Sequence, residues 1–323
     1  MRGLLKSAAR AAFHRGGGLA LARWHNRQCL RILMYHRFSD RAALARQCAY
    51  IRAQYHPVSM SDVAEWLHAG CCLPLHAVAV TVDDGYKNFE QFASPVFAEY
   101  GIPVTVFLVT DFIDGKLWLW FDQMQYAFRQ ARVSQAAIEM SDGGMLRFDL
   151  ESEASRSAAG QRMANLGVTL SEADRRSLLI RLPACLHVEI PEAPPAEYAP
   201  LSWETIRRLA ASGVEFGAHT KTHPILSSLE NAEELQEEIT GSQARIETAL
   251  DKPVRHFCYP NGRWRDIGPK AVEAVRATGM RTAVTAEPGL NRAGQDAWLL
   301  RRIGVEPTHE VRYFQQCLAG VSG

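Results

Sequence analysis

The sequence lacks any Cys-x-x-Cys pair among its 7 cysteines, and two of them, Cys71 and Cys72, are adjacent. That spacing gives no support for a thiolate zinc cluster and is a poor basis for a disulfide framework, so reduced thiols are expected. No run approaches the roughly 20 apolar residues that a membrane-spanning helix needs. Excess charge is missing too: 36 Lys and Arg against 35 Asp and Glu leave a formal net charge of +1. Such a chain exerts no overall pull on nucleic acid, and no nucleic-acid partner is expected. Internal repeats are absent. What remains is ordinary for a globular protein: 323 residues, 47% hydrophobic and 22% charged, a length that alternating strand and helix barrels reach as one unit.

The first 39 positions have no acidic residue and eight Lys or Arg. Leu4, Leu5, Phe13, Leu19, Leu21 and Trp24 are interleaved there with Arg2, Lys6, Arg10, Arg15, Arg23 and Arg27, and Gly16-Gly17-Gly18 divides the pattern. The apolar core is too interrupted for a secretory signal. Residues 1–29 are expected to form a basic amphipathic segment. It either lies in a membrane interface, at the cytoplasmic face of the plasma membrane, or packs on the body of a cytoplasmic protein.

Apolar runs of strand length recur at Arg31–His36, Val78–Asp83, Val104–Val109, Val214–His219, His256–Tyr259, Thr282–Thr285 and Leu299–Val305. Helical patterns fall between them at Arg41–Gln54, Ser61–Ala69, Phe89–Tyr100, Ser202–Ser212, Ala232–Ala249 and Gly268–Thr278. Gly70, Gly101, Gly213 and Gly279 each stand at an expected helix stop. This alternation predicts an α/β fold on a mainly parallel sheet over residues 30–323. Between about 111 and 200 the rhythm breaks. A helix over Leu119–Arg132, a hairpin turning at Asp142-Gly143-Gly144, two more helical patterns and the connector PEAPPAEYAP predict a mainly helical insertion.

The chemistry-bearing residues stand at strand ends. AVAVTVDDGY, residues 77–86, is a buried-strand pattern that stops on Asp83 and Asp84 side by side. Two adjacent carboxylates repel, and burying either is costly without a cation or hydrogen bonds to compensate. A second strand runs into AHTKTHP, which sets His219 and His223 four residues apart. In a barrel of parallel strands such ends converge on one face. One carboxylate with two imidazoles is a hydrolytic metal set with open positions, and the other carboxylate is then free to act as a base.

TVDDG, HTKTH and FCYPNG, in that order and spacing, resemble the first motifs of the polysaccharide deacetylase family with the NodB homology domain (carbohydrate esterase family 4). LMYHRF at 33–38 and LSWETIRRLAASGVEFGAHT at 201–220 resemble its exopolysaccharide-synthesis subgroup. The resemblance implies a distorted (β/α)7 barrel and removal of N-acetyl groups with zinc or a similar divalent ion. It makes Asp83 the general base and Asp84, His219 and His223 the metal ligands. The expected substrate is an acetylated amino sugar in a polysaccharide, oligosaccharide or lipid-linked glycan. The alternatives are a deformylase of a lipid-linked amino sugar and a carbohydrate-binding relic without turnover.

Two positions depart from the family pattern. Cys258 stands where the third motif has an arginine, and Arg302 stands where the last motif has a histidine. Arg302 is therefore expected to turn into the barrel mouth and hold Asp83 in place of the missing arginine. It is too basic to serve as an acid. His36, closing the first strand, is the candidate acid, with His309 ranked below it. Asn261 is expected to offer its backbone N–H to the oxyanion. Tyr259, Pro260, Trp120 and Asp122 are expected to meet the sugar.

Overall fold

The computed structural model describes residues 17–141 and 143–321. Residues 1–16 of the basic segment and Asp142 of the hairpin turn lie outside the described residues. The rest of the segment holds a short helix, Gly18–His25, on which Leu21 and Trp24 are exposed. Asn26 Nδ2, just past its end, donates to Ala319 O at 2.9 Å, at the end of the helix Val311–Ala319. Among the described residues no helix is long and apolar enough to cross a membrane.

The strands are β1 (Arg31–Tyr35), β2 (His56–Pro57), β3 (Ala77–Val82), β4 (Val104–Leu108), β5 (Gln135–Glu139), β6 (Met145–Asp149), β7 (Glu215–Ala218), β8 (His256–Cys258), β9 (Thr282–Pro288) and β10 (Leu300–Gly304). Seven of them pair in parallel in the order β1-β10-β9-β8-β7-β4-β3, and β3 returns to β1 to close a barrel. β2 adds two residues beside the start of β3, and β5 with β6 forms the separate antiparallel hairpin. These are the seven strands read from the apolar runs, shifted by a residue or so, with β9 running on to Pro288. β2, the short helices Thr110–Ile113 and Trp264–Ile267, and the helix Val311–Ala319 were not read from the sequence.

Side-chain alternation along each strand divides the core in two. Ile32, Ala77, Ala79, Phe107, Cys258, Val284 and Leu300 fill the barrel interior. Leu33, Tyr35, Val78, Val80, Val82, Val106, Leu108, Phe216, Ala218 and Phe257 pack outward under the helices. Gly217 is inward and has no room for a side chain: a Cβ there would lie 2.5 Å from the Phe107 ring. The insertion has its own apolar cluster, built on Trp120, Met124, Phe128, Ile138, Phe148, Met163 and Leu178, with Ile225 reaching it from the loop after β7.

Two expected helices contain π-helical turns, Phe89–Ala93 and Glu237–Gly241. In the first, Pro95 has no N–H to give to the carbonyl of Gln91, and that carbonyl accepts instead from Arg41 Nε at 3.1 Å. In the second, the widened turn contains Glu238, a buried carboxylate that caps the loop after β7. π-Turns of this kind gather at functional sites.

Candidate active site

The alternation that builds the interior also supplies the site. Inward parity on β3 runs Ala77, Ala79, Thr81 and then Asp83, one residue past the strand. On β1 it runs Ile32, Met34, His36, and on β7 Gly217, His219. Cys258 ends β8 with the same parity, and Arg302 has it on β10. Five side chains from separate strands thus meet at the C-terminal mouth, as the barrel rule requires.

Asp83 is buried, and the Arg302 guanidinium forks onto it, Nη1 donating to Oδ1 at 2.7 Å and Nη2 to Oδ2 at 2.8 Å. Arg302 is fixed in turn by Nε donating to Thr285 O at 2.7 Å and Nη1 to Thr81 Oγ1 at 3.1 Å. A register slip aims it: Leu300 lies opposite Val284, but Arg302 lies opposite Pro288. Burial pushes the Asp83 carboxyl up, and the charge and hydrogen bonds of Arg302 outweigh this, so its pKa falls below the ordinary value. Cys258 Sγ sits 3.1 Å from Arg302 Nη2, where the small thiol leaves space for the guanidinium. The position that departs from the family pattern is therefore filled by that second departure.

Asp84 cannot follow the strand parity, because the next residue would point outward. Its backbone turns to φ 73° instead. Thr220 (φ 68°), His223 (φ 60°) and Asn261 (φ 55°) are bent the same way, so four of the seven such non-glycine residues among those described lie here. Each conformation costs on the order of 1 kcal/mol or more and persists only when its surroundings enforce it. Glu238 does so for the HTKTH loop, accepting from the N–H groups of Lys221 and Thr222 at 2.9 Å each and from Thr222 Oγ1 at 2.6 Å. Thr220 Oγ1 accepts from His223 N at 3.1 Å. At Asn261 the enforcement comes from Gly262, where a Cβ would lie 2.4 Å from Ala286 N.

These bends bring Asp84 Oδ1 to 3.5 Å from His219 Nε2 and 3.7 Å from His223 Nε2. Tetrahedral ligands about 2.1 Å from a common centre stand roughly 3.4 Å apart, so the spacing fits one divalent ion. Asp84 Oδ1 is buried and accepts no hydrogen bond, an orphaned anion facing that point. His219 Nδ1 donates to Cys258 O at 2.7 Å, which fixes the ring with its Nε2 turned toward Asp84. Burial, then the neighbouring His219, lowers the His223 pKa to about 3, so its imidazole is in the neutral, ligating form. Asp83, His219 and Cys258 also lie close together. That set is the poorer one, because Arg302 occupies both oxygens of Asp83 and burial raises the Cys258 thiol, keeping it protonated.

A cleft of about 390 Å³ lies over this cluster. His36 lines it, Nε2 3.8 Å from Asp83 Oδ2, with its side chain 41% exposed. Asn261 and Tyr259 border it, and so does Trp120, whose Nε1 donates to His223 O at 3.3 Å. Asp122, expected to meet the sugar, does not reach the cleft. It is buried, accepts from Tyr86 Oη at 2.6 Å and pairs with Arg37, tying the first insertion helix to the barrel. Burial pushes its carboxyl up to about 6 against the pull of Arg37 and Tyr86. Pro260 is buried as well, and its carbonyl accepts from Gly262 N at 2.6 Å within the turn, so it shapes the loop without lining the cleft. His309 is outside the cleft and accepts from Glu306 N at 3.1 Å. Sequence reasoning missed Phe121, Gln125, Gln161, Asn165 and Arg263, all of which line it.

Residues 161–283 match the family described as polysaccharide deacetylase. The protein of Bacillus subtilis (strain 168) that carries that name with the label YxkH is 27% identical over 107 residues, 33% of this chain and 37% of the relative. The match thus spans little more than a third of that relative's length. Two solved structures share the fold. The Streptococcus pyogenes deacetylase PplD, in complex with acetate, is 15% identical, with a TM-score of 0.58 over 90% of this chain and 98% of that one. IcaB from Ammonifex degensii is 19% identical, also at 0.58, over 90% and 97%. The family resemblance read from the motifs and the (β/α)7 barrel it implied are both present.

Proposed function

We propose that this chain, similar to polysaccharide deacetylases in motif and fold, is a metal-dependent carbohydrate N-deacetylase. Its substrate is an N-acetylated amino sugar within a glycan. One observation carries the reading: a buried carboxylate kept ionised by a forked arginine stands beside a second carboxylate whose orphaned oxygen faces two imidazoles.

Asp84, His219 and His223 would hold the cation, and an Asp-His-His set suits zinc. A bound cation would polarise the acetamide carbonyl and acidify water. Asp83 accepts the proton of the attacking water, and Arg302 keeps it deprotonated and oriented for that purpose. The N–H of Asn261 faces the charge that develops on the carbonyl oxygen. His36 returns a proton to the departing amine, its partial exposure allowing exchange with solvent. Metal analysis of the purified protein, with acetate release measured on a panel of N-acetylated oligosaccharides, tests the reading. Stoichiometric metal and acetate are expected. A protein with no metal and no acetate release would end it, and release of formate from N-formylated counterparts of the panel, with no acetate from the panel itself, would reassign the acyl group.

Arg302→Met gives a separate expectation. Removing one partner of a buried ion pair costs about 3–5 kcal/mol, visible as a lowered melting temperature. Without Arg302, burial of Asp83 loses its main opposition, with only His219 and His36 still pulling the other way, and its pKa rises. A base is lost as pH falls through its pKa, so the acidic limb of the pH–rate profile should move to higher pH. An unmoved limb would show that Arg302 is not what keeps Asp83 ionised.

A further inference from the structure

One wall of the cleft belongs entirely to the insertion, and it is uncharged. The helix Trp120–Arg129 contributes Phe121 and Gln125, four residues apart. The helix Glu153–Gly167 contributes Gln161, Ala164 and Asn165, with Val168 one position beyond its end. Offsets of three, four and seven place these on one helical face.

Two glycines set how near the helices come. A Cβ at Gly160 would lie 3.1 Å from Gln125 Cα, and one at Gly167 would lie 2.6 Å from the Trp120 ring. Glycine inside a helix costs about 1 kcal/mol relative to alanine, so two of them seven apart mark a contact where the helices must approach closely. That approach aligns the amides. Gln125 Nε2 donates to Gln161 Oε1 at 3.5 Å, and Gln161 Nε2 donates to Asn165 Oδ1 at 3.0 Å. Each side-chain amide has two donor hydrogens and two acceptor lone pairs, so this short chain leaves most of its capacity unused. Across the cleft, Asn261 Nδ2 is buried with no protein partner. The cation on that rim, Arg263, is 3.6 Å from Glu287 Oε2.

We infer that the insertion wall is a subsite for an uncharged sugar unit next to the one whose acetamide reacts. Hydroxyl and acetamide groups pair with the amides of Gln125, Gln161 and Asn165, and the apolar face of the ring packs on Phe121. Few polar groups on an apolar lining is how ligand orientation is ordinarily fixed. A diphosphate or a carboxylated sugar would call for Arg or Lys, which this wall does not offer. The inference rests on the deacetylase reading and narrows it to a neutral glycan chain occupying at least two subsites.

The test compares wild type with the double variant Gln161→Ala/Asn165→Ala, using the monomer and the tetramer of N-acetylglucosamine. Both residues are exposed, and a matching melting temperature checks that the variant folds. The tetramer-to-monomer ratio of kcat/KM is expected to fall on the order of tenfold, through KM for the tetramer, as two lost hydrogen bonds would give. An unchanged ratio overturns the subsite. If wild type releases no acetate from either sugar, the deacetylase reading has failed. Calorimetric binding of the tetramer to the metal-loaded proteins then decides the subsite alone: weaker binding to the variant supports it, and equal binding or none to either removes it.

Discussion

Replacing Asp83 with asparagine is expected to cut acetate release on the order of a hundredfold or more while the protein keeps its metal. The substitution is nearly isosteric. Arg302 retains a carbonyl acceptor on residue 83 and its own bonds to Thr285 O and Thr81 Oγ1, so the mouth of the barrel keeps its shape. What disappears is the negative charge and with it the ability to take a proton. Asp84, His219 and His223 are left in place, which is why metal content and activity should separate in this variant. Some stability is lost too, since a buried guanidinium then faces only neutral groups. Metal content by elemental analysis and acetate release on one preparation check both halves. Near-normal turnover would make Asp83 a turn residue with an ion pair and nothing more.

His223→Ala should behave in the opposite way, losing metal and activity together. Its imidazole is neutral and its Nε2 stands 3.7 Å from Asp84 Oδ1, so it completes the donor set. Two remaining ligands hold zinc poorly, and occupancy should drop from stoichiometric to near zero after dialysis. The fold should tolerate the change, because the loop is held by Glu238 and Thr220 through backbone N–H groups that alanine also has. Full occupancy in this variant would place the ion elsewhere.

The barrel was legible because its strands are short apolar runs separated by helical patterns that end on glycine. Period-two alternation then carries Asp83 and His219 inward without knowledge of any contact. Asp84 and His223 reach the same point only through positive φ angles, and nothing in the identity of Asp or His announces those. The amphipathic pattern over 119–132 gave the insertion helix, but Asp122, read with Trp120 as opening the insertion, was expected to meet the sugar and does not reach the cleft. Its burial depends on Arg37 and Tyr86, partners 85 and 36 residues away that no local pattern links to it. The amide wall was invisible for a related reason. Gly160 and Gly167 look like weak points in a helix until a second helix is seen lying against them.

Closure of the barrel also sets an order of events in folding. The seam joins β1 to β10, pairing Leu33 with Ile303 across most of the chain. Contacts of such long sequence separation form slowly, since a large loop must close before they return any free energy. Arg302 is on the closing strand, whereas Asp83 belongs to the first third of the sequence. Until β10 docks, the carboxylate has no guanidinium and the interior beneath it is open to water. During refolding, catalytic competence should therefore arrive with the final strand and lag behind the bulk of the secondary structure.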